Sequence, residues 1–275
     1  MSTTVIRLPL SKRDPIRVSA GRMRVYRGAV GVVVALLLLE LVSRVGIIPS
    51  DLLPPVSRVL ADTGGLLVNP GFLGDVGATI AAWALGLGIA ILVAVPLGLI
   101  LGSFRVAYEA SSTVVEFLRP IPSVALIPLA ILVFGQGTEM KVALAVYAAI
   151  WPVFFNTVYG VRDVDPVTKD TAKSFRLSPL GTLWHVGMRH AGPFIFTGIR
   201  ISAAIALIVT ISAELLAGSS SGIGAFILRT SSGGGDTALV FAGTIVAGLL
   251  GIIINWLLQL VERRMFAWKF VGEDQ

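Results

Sequence analysis

The chain has 275 residues, of which 55% are apolar and only 14% charged, where an ordinary soluble domain carries about 25%. Too little polar surface exists to cover a soluble core of this size, and neither a disordered chain nor a disulfide scaffold fits an apolar sequence without cysteine. A polytopic membrane protein fits, and the net charge of +6 leaves nucleic-acid binding to be decided by where the charges sit.

A helix needs about 20 mainly apolar residues to cross a bilayer. Residues 1–27 form a basic N-terminal segment, and the first span covers 28–48, with Glu40 and Arg44 near its far end. This beginning resembles a signal peptide, but no small-x-small cleavage site follows and five further spans do, so it reads as an uncleaved first helix. Residues 49–75 form an external loop rich in Pro and Gly, in which Val56, Leu60, Leu66 and Leu67 predict a short helix along the membrane surface. Charge-free runs at 76–104, 120–138, 142–161 and 237–261 predict four more spans. Another at 193–217 carries Arg200 and Glu214 close to its ends, from which charged groups reach the interface. The expectation is an all-α membrane protein with six transmembrane helices: the first, then a five-helix core over 76–261, then a tail at 262–275. Barrel strands alternate polar and apolar residues, and these runs do not. Pro120, Pro122 and Pro128 crowd the third span, Pro96 and Pro152 lie in the second and fourth, and Gly86, Gly88, Gly98 and Gly102 mark the second. Such residues either serve shape changes or simply shape the bundle.

Basic residues set the orientation. With both termini on one side, that side holds seven of them before the first span, Arg105 and Arg119 in a short link, five in the loop at 162–192, and Arg263, Arg264 and Lys269 in the tail. These seventeen stand against Arg58, Lys141 and Arg229 on the other side, which puts the termini in the cytoplasm of a multi-pass cell-membrane protein. Topology thus accounts for the net charge, and no nucleic-acid partner is expected.

The loop at 162–192 is far more polar than its surroundings. Asp165-Pro166 and Ser178-Pro179 each read as an N-cap followed by proline at the first helical position, predicting helices over 166–175 and 179–188. Lys169, Lys173 and Arg176 make a basic edge on the first; Leu180, Leu183 and Trp184 make an apolar stripe on the second. That stripe suits either the membrane interface or a partner protein.

Asp170-Thr171-Ala172, Arg176, Met188-Arg189 and Pro193 fall at the spacing of the "EAA" signature, E-A-A-x-x-x-G followed about nine residues later by I-x-L-P. The chain therefore resembles the permeases of binding-protein-dependent ABC transporters, with a type I importer fold. Arg119-Pro120-Ile121-Pro122, Phe134-Gly135, Ala213-Glu214, Ser221-Gly222-Ile223-Gly224, Leu53-Pro54-Pro55 and Glu262-Arg263-Arg264 look like the nitrate, sulfonate, taurine and bicarbonate branch. Departures are Asp170 for Glu, Thr171 for Ala, Arg176 for Gly and Arg189 for Pro. If the turn needs a positive φ at that glycine, Arg176 costs on the order of 1 kcal/mol or the turn is rebuilt.

The resemblance implies a pair of permease subunits, the same or homologous chains, forming a path for a small solute. An extracytoplasmic binding protein delivers the solute, and an ATP-binding subunit grips the loop of each permease. It points to Asp170, Thr171, Ala172, Lys173, Arg176, Leu180 and Leu183 as the coupling residues. ATP and Mg belong to that partner, since this chain has no G-x-x-x-x-G-K-[ST]. Gly233-Gly234-Gly235-Asp236 reads as a flexible connector, and His185 and His190, five apart, do not share a helix face for a metal. No nucleophile–base set appears, so the chain is not expected to be an enzyme. A self-contained secondary transporter and a membrane-embedded lipid-modifying enzyme are the competing readings. The first would show repeats and midplane carboxylates, the second clustered polar residues at the interface.

Overall fold

In a computed structural model of the chain, residues 17–232 and 235–266 are described. Every regular element among them is helical. The chain divides into two units, Met1–Arg58 and Val59–Gln275. The first holds helix α1 (Arg17–Val45), whose stretch Tyr26–Val45 is apolar enough to cross a membrane. Within this unit Glu40 accepts from Arg44 Nε (2.6 Å) and from the Ser57 amide and hydroxyl (3.0 and 2.8 Å). Its charge thus sits beside a counter-ion and a helix start, where a carboxylate is favourable.

Helix α2 (Val56–Leu66) occupies the loop expected to hold a short helix. Its buried side is Val59, Thr63 and Leu66, whereas Leu60 and Leu67 are exposed, because the apolar pattern is too sparse to define the face uniquely. Leu66 packs with Phe72, Ala242 and Val246. The second unit is built on α3 (Pro70–Ser103), α6 (Thr138–Arg162), α9 (Met188–Ala217) and α11 (Thr237–Met265). Asn69 caps α3 by accepting the Gly71 and Phe72 amides, with Pro70 at the first position, where no N–H is missed.

Helix α6 lies between α3 and α9. The seams are made of small residues: Ala90, Ala145, Ala149, Ala203 and Ala206 share one buried cluster with Leu87, Leu207 and Ile254. Lipid tails are as apolar as these side chains, so helices gain by close approach and by hydrogen bonds across the seam. Trp83 Nε1 donates to the Ala203 carbonyl (2.8 Å), and Ser202 Oγ to that of Ala149 (2.6 Å). At Gly98 a Cβ would stand 2.6 Å from Thr157 Cβ, so only glycine lets α3 approach α6 there.

The expected third span is not one helix. Residues 105–119, read as a link, form α4 (Arg105–Leu118), and the chain then bends by 75° into a 3₁₀ turn (Ser123–Leu126) and α5 (Ile127–Phe134). Pro120 and Pro122 cannot donate backbone hydrogen bonds, so α4 does not continue through them, while Pro128 sits harmlessly in the first turn of α5. Among the described residues, five helices are long and apolar enough to cross a membrane, six if this bent pair counts as one.

The loop beyond α6 also differs in part from expectation. Helix α7 (Pro166–Ser174) forms as predicted, but the second short helix does not stand alone. A single turn, α8 (Pro179–Thr182), leads through a π-helical turn (Leu183–Gly187) directly into α9, because nothing breaks the helix before Pro193, which α9 absorbs. Helix α10 (Ile223–Ser232) connects α9 to α11.

Replacing Gly98 with Val should wedge α3 from α6 and cost about 1–3 kcal/mol, read as a lower melting temperature of the detergent-solubilised protein. Gly88→Val, where nothing lies within 4 Å, is the matched control and should melt like the parent.

Candidate functional site

Two polar constellations stand at opposite ends of the α3–α6–α9 bundle: the loop after α6, and a buried charge knot near the start of α6. The loop is built by its caps. Asp165 Oδ1 accepts the Val167 amide (2.8 Å) at the start of α7, and Ser178 Oγ accepts that of Gly181 (3.1 Å) at the start of α8. Helix α7 ends where the Phe175 amide reaches the Thr171 carbonyl (3.1 Å) and the Leu177 amide reaches back to that of Ala172 (3.2 Å). This closing pattern needs a left-handed residue between them, and Arg176 supplies it with φ of +54°. Among the described residues it is the only non-glycine with positive φ.

The expected coupling residues take different roles. Asp170, Thr171 and Arg176 are exposed, although the Thr171 hydroxyl is turned back onto the Val167 carbonyl (2.8 Å). Ala172 is buried, and Leu183 is half-buried against Leu99, Val161 and Ala191, so both anchor the loop to the bundle instead of facing outward. Lys173 and Leu180 lie on helical backbone, but their side chains fall outside the described residues, as does that of Lys169. The most exposed apolar groups among the described residues of the loop are Val167, Phe175 and Trp184, with Phe175 78% exposed. Trp184 was legible as part of a stripe, whereas Phe175 stood at the end of a basic helix with no periodicity to mark it. Beside α7 a cleft of about 500 Å³ is lined by Asp165, Thr168, His185, Arg189 and His190, and His190 Nε2 lies 3.3 Å from Asp163 Oδ2. Arg200, one of the charges at membrane depth, pairs with Glu262 of α11 (2.7 Å), which fastens the adjoining end of α9.

At the other end Glu214 is fully buried. It accepts from Lys141 Nζ (3.1 Å), Thr79 Oγ1 (2.9 Å) and the Gly224 amide (3.0 Å). Lys141, also buried, donates as well to the Ser221 carbonyl (3.0 Å), and Thr79 accepts the Ile223 amide (2.9 Å). A second pair joins on: Asp75 accepts the Gly222 amide (2.8 Å) and Arg229 Nη2 (2.6 Å), and Arg229 reaches the Ser220 carbonyl (3.0 Å). Gly222 has φ of +125°, and a Cβ there would collide with the Glu214 carboxylate. Spacing alone could not pair Lys141 with Glu214, 73 residues apart.

A family profile, that of the binding-protein-dependent transport system inner membrane component, matches residues 94–267. The chain belongs to this family. An ABC transporter permease protein of Methanocaldococcus jannaschii is 32% identical over 184 residues, 67% of this chain and 68% of that one. The nitrate import permease protein NrtB of Synechocystis is 28% identical over 271 residues, covering 95% and 96%. The taurine transport system permease protein TauC of Escherichia coli is 29% identical over 228 residues, covering 81% and 82%. The inward-facing MetNI methionine ABC transporter shares the fold, with a TM-score of 0.55 at 17% identity over 73% of this chain and 94% of that one. In this permease the turn after α7 places an arginine in the left-handed position.

Arg176→Gly should therefore relieve about 1 kcal/mol of backbone strain, slowing amide exchange at Leu177 severalfold, whereas Arg176→Ala, which keeps a Cβ, should not. In the knot, Lys141→Met leaves a buried carboxylate unpaired and should cost about 3–5 kcal/mol. The double variant Lys141→Met, Glu214→Gln should melt above that single variant, since no lone charge remains.

Proposed function

We propose that this permease forms one half of the membrane path of an ABC importer for a small oxyanion, with nitrate and sulfonates such as taurine the leading solutes. Six crossings follow if α4 and α5 form one broken span, with both termini in the cytoplasm. Leaving Arg119 out of the charge count, because it lies at that break, sixteen basic residues still stand against three. A second permease subunit completes the path, a binding protein supplies solute at the outer face, and an ATP-binding subunit docks on the cytoplasmic loop. ATP and Mg are held by that subunit.

The observation that carries this reading is the loop's shape: an exposed Phe175, with Val167 and Trp184, projects from α7–α8 on a segment anchored inward by Ala172 and Leu183. An apolar cap on a fixed, polar mount suits a protein groove. Gripped differently in two nucleotide states, such a mount biases the helices joined to it. Leu183→Asp is a poor probe because that side chain packs inside, so the test uses Phe175→Asp. The tagged permease should retain its ATP-binding subunit through purification in detergent, and Phe175→Asp should reduce the retained subunit at least tenfold with an unchanged melting temperature. An intact permease that never retains an ATP-binding subunit would overturn the reading.

A further inference from the structure

The geometry points to an oxyanion-binding station at the break between α4 and α5, with Arg119 as its charge and Trp151 as a second donor. This rests on the oxyanion-importer reading above and names the residues that would meet the solute. The placement of Arg119 is the starting observation. Sequence put it in a cytoplasmic link, but its guanidinium lies 4.5 Å from the ring centre of Phe155. Phe155 is seven residues from the loop end of α6, so the cation stands about 10 Å inside that end of the helix. Arg162 at that end stacks on Tyr108 of α4 (3.7 Å), so α4 climbs alongside α6 from the loop end to the break.

Among the described residues no carboxylate lies within ion-pair distance of Arg119, in contrast to Arg200 and Arg229, which have Glu262 and Asp75. Its side chain is exposed on the surface of this chain, yet it is stacked on Phe155. An unpaired guanidinium facing hydrocarbon is costly, and such groups face a water-filled path or a partner of opposite charge. A helix broken at membrane depth likewise marks a solute site, since irregular backbone is tolerated there only against protein or water.

Helix α6 supplies the second donor. Tyr147, Trp151 and Phe155 follow one another at four-residue steps on one face. The first donates to the Leu118 carbonyl (2.6 Å) and the last carries Arg119, so the face between them looks onto residues 118–119. Trp151 packs edge-on to Tyr147, and its Nε1 is buried without a hydrogen-bond partner among the described residues. A buried N–H left unpaired loses roughly 1–3 kcal/mol that an arriving acceptor restores. A stacked guanidinium with its fork of N–H groups, with an indole N–H one turn along the same helix face, has the donors a planar nitrate or a sulfonate requires, and the nearby Leu118 carbonyl is already taken by the Tyr147 hydroxyl.

The test reconstitutes the permease with its ATP-binding subunit and binding protein in liposomes and measures uptake of labelled nitrate and taurine. Arg119→Gln should lower uptake at least tenfold, Arg119→Lys should recover at least a third of it, and Trp151→Phe should lower it severalfold. Co-purification of the ATP-binding subunit with each variant verifies folding. Undiminished uptake by Arg119→Gln would overturn the inference. So would an Arg119→Gln permease that dissociates from its second subunit, since Arg119 would then be a contact between subunits. An intact complex that retains its ATP-binding subunit but carries neither solute would instead overturn the oxyanion reading on which this rests.

Discussion

A carboxylate buried among helices, as Glu214 is, has to collect its counter-ion and hydrogen-bond donors from whatever elements can reach it, because there is no water to supply them. Here those donors come from the beginning of α3, the beginning of α6 and the turn into α10. The ends of three long helices are therefore held at one point, and the turn at 218–222 has to adopt the backbone that presents its amides and carbonyls to the knot. The small-residue seams between α3, α6 and α9 then set how the helices run on from there.

At the opposite end the loop is held by different means. Ala172 and Leu183 turn inward, and the Arg200–Glu262 pair ties α9 to α11. Helix continues from Leu183 to Ala217, so the loop and Glu214 stand on one rod of about 50 Å. A partner that grips the loop acts on a helix whose far end is locked by charge. Motion of such a body as a unit costs less than bending it.

The spans and the loop were legible because their signals are local: unbroken apolar runs, two cap-and-proline signatures, and motif spacing. The third span was misread because an apolar run says nothing of whether Pro120 and Pro122 stop the helix or only kink it; that depends on what satisfies the freed carbonyls, one of which, that of Leu118, takes the Tyr147 hydroxyl. The same reading put Arg119 in a link between spans, whereas it stands at the bend after α4, stacked on Phe155. Leu183 was assigned outward because a stripe on a short helix reveals an apolar face and not which neighbour it meets.

The sequence by itself determined that the chain is an all-helical membrane protein, how its charges are apportioned along it, and where the two cap-and-proline helix starts fall, since composition, period and cap chemistry act over a few residues. Tertiary structure alone decided that Lys141 meets Glu214, that Arg119 stacks on Phe155, and that Phe175 projects while Leu183 turns toward the bundle. Those outcomes depend on helix crossings that bring together residues far apart in the chain, and the crossings are set by close packing of small residues, which no local pattern encodes.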